Sequence, residues 1–396
     1  MMTVSPTART WAQISLKALR HNLNYVKEQT GKMVMCVVKA DAYGHGAVAC
    51  AQCLQAAGAD AFGVASLAEA MELREGGVST PILVLGYTDP EYARMLADNG
   101  ITQAIQELEP AWELSRRAVE EGVTVEVHVK LDTGMGRTGI LAQTPETRTQ
   151  AVEEIQQIYH MLGLRVTGVF THFSVADDPE QDDYTRWQME NYRAVLSEME
   201  ARGLEPGVRH AGNSAAVMRH PDTHLDMVRA GNMLYGLYPD SKPAPDGPLA
   251  PVMSLYSRVA QVRDLPEGAS VSYGRTYQAP SPIKTAVVAA GYADGYPRRL
   301  SNQAWAVIDG VAYPQIGTIC MDAHMLDISR APQPVQPGDP VLLWGPGGMS
   351  VEEVSQVVGT INYELTSLVT KRVPRVYLKN GQVDSIYNAL LGEEAR

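Results

Sequence analysis

The 396-residue chain has little cysteine, no long apolar run and no block of like charge. Four cysteines (Cys36, Cys50, Cys53 and Cys320) in a chain of this length build no disulfide framework. Cys50 and Cys53 form a C-x-x-C, but no second pair follows and the pair sits inside an expected helix, Gly46–Ala57. Two reduced helix cysteines are therefore favoured over a zinc or redox site. The most apolar stretches, Met33–Val38 and Ile82–Leu85, are too short to span a bilayer. The opening MMTVSPTART carries no apolar segment after its charges, so no signal peptide is read and a cytoplasmic protein is expected. An excess of 45 acidic over 33 basic residues gives a formal charge of −12. That balance, with no basic arm, excludes nucleic acid as an expected partner.

What is present is an ordinary soluble composition, 45% apolar and 20% charged, in a chain longer than one hydrophobic core usually supports. Short β-rich runs alternate with amphipathic stretches. The runs are Val34–Val38, Asp60–Val64, Ile82–Leu85, Ile101–Ile105, Val123–Val129, Arg165–Phe170, Val208–His210 and Leu225–Val228. Between them, helices are expected over Gly46–Ala57, Leu67–Glu75, Pro90–Asp98, Leu108–Glu121, Pro145–Met161, Tyr184–Arg202 and Ala215–Arg219. A further helix, Leu16–Glu28, precedes the first run. Eight strands wrapped by helices argue a closed (β/α)8 barrel of the TIM type, with a doubly wound open sheet as the alternative. No G-x-G-x-x-G turn follows the first strand, which counts against a dinucleotide-binding version of the latter.

The pattern changes near Tyr238. Of 24 prolines, 15 lie between Pro239 and Pro346, where helical periodicity disappears. Short runs (Val252–Val262, Ser270–Tyr273, Thr285–Ala290, Ala304–Ile308 and Val341–Trp344) are separated by Gly and Pro turns, with one helical passage at Val351–Val369. The expected division is a barrel over residues 1–245 and a mostly-β domain over 246–396, with Pro239–Pro251 as the linker.

Reactive groups in such a barrel project from the C-terminal ends of its strands. Those ends read Lys39, then Lys130 with Arg137, then His172, then Asn213–Ser214, then Arg229–Gly231. A mouth gathering four cations in an acidic protein suits a ligand with a phosphate and a carboxylate. A lysine at a buried strand end is costly as an ammonium, and neighbouring cations favour the free amine able to form a Schiff base. A surface lysine closing a strand is the equal alternative on pattern alone. The loops after strands seven and eight, Ala211-Gly212-Asn213-Ser214 and Arg229-Ala230-Gly231-Asn232, read either as a phosphate cradle or as ordinary turns. A phosphate site joined to a lysine on the first strand points to pyridoxal 5'-phosphate.

These residues resemble a known family. Val37-Val38-Lys39-Ala40-Asp41-Ala42-Tyr43-Gly44-His45-Gly46 is similar to the cofactor-lysine motif of alanine racemases. Further matches follow in the family's order: Val129–Arg137, Thr171-His172-Phe173, Arg229-Ala230-Gly231, Val271-Ser272-Tyr273-Gly274, Gly291–Tyr296, Cys320-Met321-Asp322 and Ile361-Asn362-Tyr363-Glu364. The resemblance spans essentially the whole chain. It implies a homodimer in which one subunit's barrel meets the other's second domain. It also implies interconversion of L- and D-alanine, supplying D-alanine for peptidoglycan. By the same resemblance Lys39 carries pyridoxal phosphate, Tyr43, Ser214, Gly231 and Tyr363 hold its phosphate, and His172 and Asn213 also belong to the cofactor site. Arg229 faces the pyridine nitrogen. Lys39 and Tyr273 serve as the two bases, because racemisation needs a proton carrier on each face of the substrate carbon. Arg137 and the Met321 N–H take the substrate carboxylate, and Lys130 is expected to be carbamylated. No metal is expected. Another racemase or a decarboxylase on this fold, and a non-catalytic cofactor carrier, are the competing readings. Tyr273 and the Arg229 partner count against them.

Overall fold

The computed structural model describes residues 8–244 and 246–395. Most of the N-terminal segment read for a leader, and Pro245 at the expected boundary, lie outside the described residues. The chain folds as two compact units: Leu23–Ala42 with Ala47–Leu234, and the described parts of Met1–Asn22, Tyr43–Gly46 and Tyr235–Arg396.

The first unit is the barrel. Its eight strands in chain order are Met33–Val37, Ala61–Val64, Ile82–Val84, Ile101–Ile105, Val125–Asp132, Leu164–Phe170, Val208–His210 and Met227–Ala230. Each pairs parallel with the next as far as the seventh, and the eighth pairs parallel with the first. The seam between seventh and eighth is closed by Asp226 N–H to Arg209 O at 3.2 Å and Arg229 N–H to Gly212 O at 2.8 Å. Met35, Ala61, Leu83, Ala104, Phe170 and Met227, from six different strands, fill the interior as one apolar cluster. The outer helices follow the expected periodicity. Leu108–Glu121 buries Ala111, Leu114, Ser115 and Ala118, and Gly122 at φ 65° ends it. Pro145–Tyr159 starts where Thr144 and Thr147 cap one another.

Two strands run past their expected ends. The fifth continues to Asp132, so Lys130 lies within it rather than after it. The eighth begins at Met227, not Leu225, because Leu225 sits at φ 50°, which no strand accommodates. Arg229 is therefore also a strand residue.

The second unit is a ten-stranded, mostly antiparallel sheet. Its order is Ile283–Val288, His324–Asp327, Val311–Ile316, Trp305–Ile308, Pro340–Trp344, Met253–Leu265, Thr10–Ser15, Arg375–Lys379, Gln382–Asn388 and Glu393–Ala395. Thr10–Ser15 pairs antiparallel with Met253–Leu265 and parallel with Arg375–Lys379. The described residues up to Asn22 thus belong to this unit. Six residues without a neighbouring repeat carry no signal of which sheet they join. The expected helix Val351–Val369 is two, Val351–Val358 and Asn362–Ser367, because Gly359 at φ 80° caps the first.

Candidate active site

Directly after the first barrel strand the chain takes an uncommon course. Ala40, Asp41, Ala42 and Tyr43 all have φ between 53° and 55°, and Gly44 follows at 84°. This is one turn of left-handed helix, which costs L-residues about 1–2 kcal/mol each. Side-chain and backbone acceptors hold it: Ala40 N–H donates to Glu69 Oε1 at 2.7 Å, Ala42 N–H to Val38 O at 2.9 Å, and Ala47 N–H to Asp41 Oδ1 at 2.8 Å. Lys39 stands immediately before this turn.

The Lys39 amine is half-buried, and its pKa is lowered, first by burial and then by the Arg137 guanidinium; Glu69 opposes the shift. Lys130 is buried at 5% exposure and donates to Thr138 Oγ1. Burial, then Arg137 and Arg229, push its pKa down to about 8, with Asp132 opposing. Arg229, 4% exposed, is held in a single pose. Its terminal nitrogens donate to the carbonyls of Thr171 (2.7 Å), His210 (3.0 Å) and Ala211 (3.0 Å), and to Nδ1 of both His172 and His210 (3.1 Å each). Its guanidinium also lies 5.4 Å from the centre of the Phe170 ring. Burial lowers its pKa to about 10, so it stays charged at neutral pH.

An arginine only donates, so both imidazoles accept at Nδ1 and carry their proton on Nε2. His172 is held neutral by burial and then by Arg229, Arg137, Lys130 and Lys39. His210, stacked on Phe170 at 4.8 Å, passes its Nε2–H to His128 Nδ1 at 2.9 Å. His128 is in turn neutral, with a pKa of about 4 set by burial and then by Arg229. His128 and His210 escaped the sequence reading, since each looks like a core residue on a strand; a histidine two positions before Lys130 was the available signal.

The remaining candidates of this unit lie at the loops beyond the seventh and eighth strands. Asn213 caps the helix Ser214–Arg219 through Oδ1 and Ala216 N–H, and Gly231 N–H donates to Ser214 Oγ at 2.9 Å. Arg137 is exposed on a loop shaped by Asp132, whose Oδ1 accepts from Gly134 N–H at 3.0 Å and Gly136 N–H at 3.1 Å. Glu69 also went unread. Its S-x-x-E spacing signals a capping box after Ser66, yet its carboxylate bridges Ala65 N–H and Ala40 N–H instead.

In the sheet unit Tyr43 packs on Tyr235 at 5.0 Å and edge-on to Tyr363 at 6.2 Å. Burial and then Tyr363 raise the Tyr43 hydroxyl, which remains a donor. Gly44 and Gly46 permit the packing: a Cβ would meet Thr366 O at 2.0 Å and the Tyr377 hydroxyl at 1.8 Å. Tyr273 is 71% exposed, on a short turn rather than the expected strand, because Ser272 at φ 64° ends the run. Its carbonyl accepts from Thr318 Oγ1 at 2.8 Å. Met321 (51%) and Tyr292 (42%) are also exposed, joined through Tyr292 N–H to Cys320 O and Ala293 N–H to Met321 O, both 3.1 Å. Among the described residues no group of His, Cys, Asp or Glu is arranged to hold a metal ion, and no helix is long and apolar enough to cross a membrane.

A parallel barrel with an amine of lowered pKa after its first strand, and a separate antiparallel unit carrying an exposed tyrosine, defines a class of two-unit barrel enzymes. The chain matches the alanine racemase N-terminal domain over residues 14–239 and the alanine racemase C-terminal domain over 252–377. It is 43% identical over 372 residues to an alanine racemase of Desulfovibrio desulfuricans, covering 93% of this chain and 98% of that protein. Among solved structures it is similar to the alanine racemase of Clostridium difficile 630, with a TM-score of 0.90 and 36% identity over 97% of this chain and 99% of that one. It is also similar to the alanine racemase of Bartonella henselae with covalently bound pyridoxal phosphate, with a TM-score of 0.83 and 26% identity over 94% and 100%. The chain belongs to the alanine racemase family, and racemisation of alanine is the activity its relatives support.

Proposed function

We propose that this chain interconverts L- and D-alanine with pyridoxal 5'-phosphate, using Lys39 and Tyr273 as opposed bases. The observation that carries the reading is the barrel mouth. There Lys39, lowered in pKa by burial and Arg137, accompanies an Arg229 whose two terminal nitrogens are engaged by the surrounding barrel. The residues fit the cofactor: an amine for its aldehyde, the Ser214 hydroxyl and Gly231 backbone for its phosphate, and a fixed guanidinium for its ring nitrogen. Asn213 fixes the start of the Ser214 helix. When bound, the cofactor supplies the electron sink that makes the substrate's α-proton removable.

The chain's own groups do the proton work. Lys39 Nζ, favoured as a free amine, takes or returns a proton on one face. Tyr273 of a second copy serves the other face. His172 is neutral, with Nδ1 accepting from Arg229, so its Nε2–H is a donor suited to stabilise a tyrosinate. Arg229, charged and only a donor, would leave the cofactor's ring nitrogen unprotonated, which would temper the electron sink and suppress side reactions such as transamination. Arg137 binds the carboxylate, together with the Met321 N–H of the second copy. Lys130, near pKa 8, has the neutral fraction needed to attack carbon dioxide: an N–C bond forms, one proton leaves, and the carbamate anion pairs with Arg137.

Exposed Tyr273, Tyr292 and Met321 in one patch of the sheet unit support a homodimer that covers them. Four free cysteines suit the reducing cell interior, and D-alanine for peptidoglycan is the role we assign. The test is circular dichroism of L- and of D-alanine incubated with the purified, cofactor-loaded protein. Convergence of both to one mixture is expected, with Lys39→Ala losing both directions and Tyr273→Phe slowing proton removal from L-alanine most. Cofactor-loaded protein that leaves both enantiomers unchanged overturns the reading.

A further inference from the structure

Asp294 is buried at 1% exposure, and a lone carboxylate there would be costly. It is fully partnered. Oδ1 accepts from Arg9 and from Arg372 Nε, each at 2.8 Å, and Oδ2 accepts from Arg372 at 3.1 Å and from Gly291 N–H at 2.9 Å. Both arginines continue to a second point. Arg372 donates to Asp322 Oδ1 at 2.6 Å, and Arg9 donates to Asp322 O at 3.2 Å.

These contacts bracket one peptide. On one side the turn Tyr292–Asp294 docks two N–H groups on the carbonyls of Cys320 and Met321, both at 3.1 Å. The approach is as close as backbones allow, since a Cβ on Gly291 would stand 2.2 Å from Cys320 O and 2.5 Å from the Met321 carbonyl. On the other side Asp322 is gripped through its carboxylate and its carbonyl. Between them, the Met321 N–H has no acceptor among the described residues. A donor left open at the centre of so much restraint is arranged for a ligand.

We propose that Asp294 and Arg372, with Arg9, are positioning residues that set the aim of the Met321 N–H and thereby the affinity for the substrate carboxylate. The inference rests on the reading that Met321 binds that carboxylate. Arg372 reaches Asp294 and Asp322 at once only because its guanidinium is a planar fork; lysine presents a single charged point. Asp294→Asn removes the charge that both arginines share and turns an amide donor toward one of them.

The experiment measures alanine kinetics on the holoenzyme together with propionate binding by calorimetry, which reads the carboxylate site without turnover. Asp294→Asn is expected to raise both KM and the propionate Kd about tenfold, the loss of one well-aimed hydrogen bond, while kcat changes by no more than about twofold. Arg372→Lys is expected to fall between wild type and Asp294→Asn in both, and it decides the matter if Asp294→Asn does not fold. Folded variants with wild-type KM and propionate Kd, or with a loss in kcat alone, overturn the positioning role. A wild-type protein that binds no propionate removes the Met321 assignment itself and the inference with it. A wild type that binds propionate without racemising alanine separates the two readings, because the variants' propionate affinities then judge this one alone.

Discussion

Mild acid is expected to weaken each unit of this protein by about 2 kcal/mol through a single buried histidine. In the barrel unit His128 is 8% exposed, and burial followed by Arg229 holds its pKa at about 4 against an ordinary 6.5. In the sheet unit burial holds His324 at about 4, and its ring Nδ1 lies 2.7 Å from Ala290 O. Unfolded, each titrates near ~6.5 and takes up its proton first. The unfolded state therefore gains relative to the native one as pH falls from about 6.5 towards 4. At about pH 5 the unfolded imidazole is almost fully charged and the native one almost fully neutral, which amounts to about 2 kcal/mol per group. His210 and His172 are displaced in the same direction and add to the barrel's loss. The assay is urea unfolding followed by far-UV circular dichroism at about pH 8 and pH 5, at one protein concentration. His128→Gln keeps an acceptor for the His210 Nε2–H and should remove about 2 kcal/mol of the acid-induced loss, while carboxylate contributions cancel in the comparison. A variant with the wild-type loss between the two pH values would refute the reasoning.

Two further outcomes follow from local geometry. Gly44→Ala places a Cβ 2.0 Å from Thr366 O at φ 84°. It should cost more than about 2 kcal/mol in thermal or urea unfolding, because strain and overpacking add. Gly359→Ala, at φ 80° in open space, should cost only about 1 kcal/mol, so equal effects would contradict the packing argument. Lys130, with a pKa of about 8, should give a carbamate signal in carbon-13 NMR when the protein is equilibrated with labelled bicarbonate near pH 8, and Lys130→Arg should not. Absence of the signal in the wild-type protein would refute the modification.

The barrel was legible because its strands are short apolar runs separated by helices with clear periodicity. Leu67–Glu75 and Leu108–Glu121 agree with expectation to the residue. Where reading failed, a backbone conformation or a distant partner decided the outcome. The left-handed turn from Ala40 to Tyr43 has no compositional signature, since alanine ordinarily favours the right-handed form. It is held by Glu69, which lies far along the chain in another helix. Thr10–Ser15 shows no clean strand alternation, and nothing in six residues says that its partners begin at Met253 and Arg375.

The candidate site divides along the same line. Lys39, Lys130, Arg137, His172 and Arg229 were legible because a barrel directs its strand ends to one mouth, so topology converts sequence positions into neighbours. The groups that govern how those residues behave were not. His210 fixes the Arg229 pose, Thr138 takes the Lys130 amine, and Asp294 braces the peptide of Met321 through Arg372. Each is a common polar residue whose role exists only once the chain has folded around it. The charge of −12 shows the same limit. Composition predicts a negative surface, whereas placing Lys39, Lys130, Arg137 and Arg229 in one unit lets cations lower the pKa of cations. Together with burial, the larger cause, that shifts Lys39 and Lys130 toward their free-amine forms.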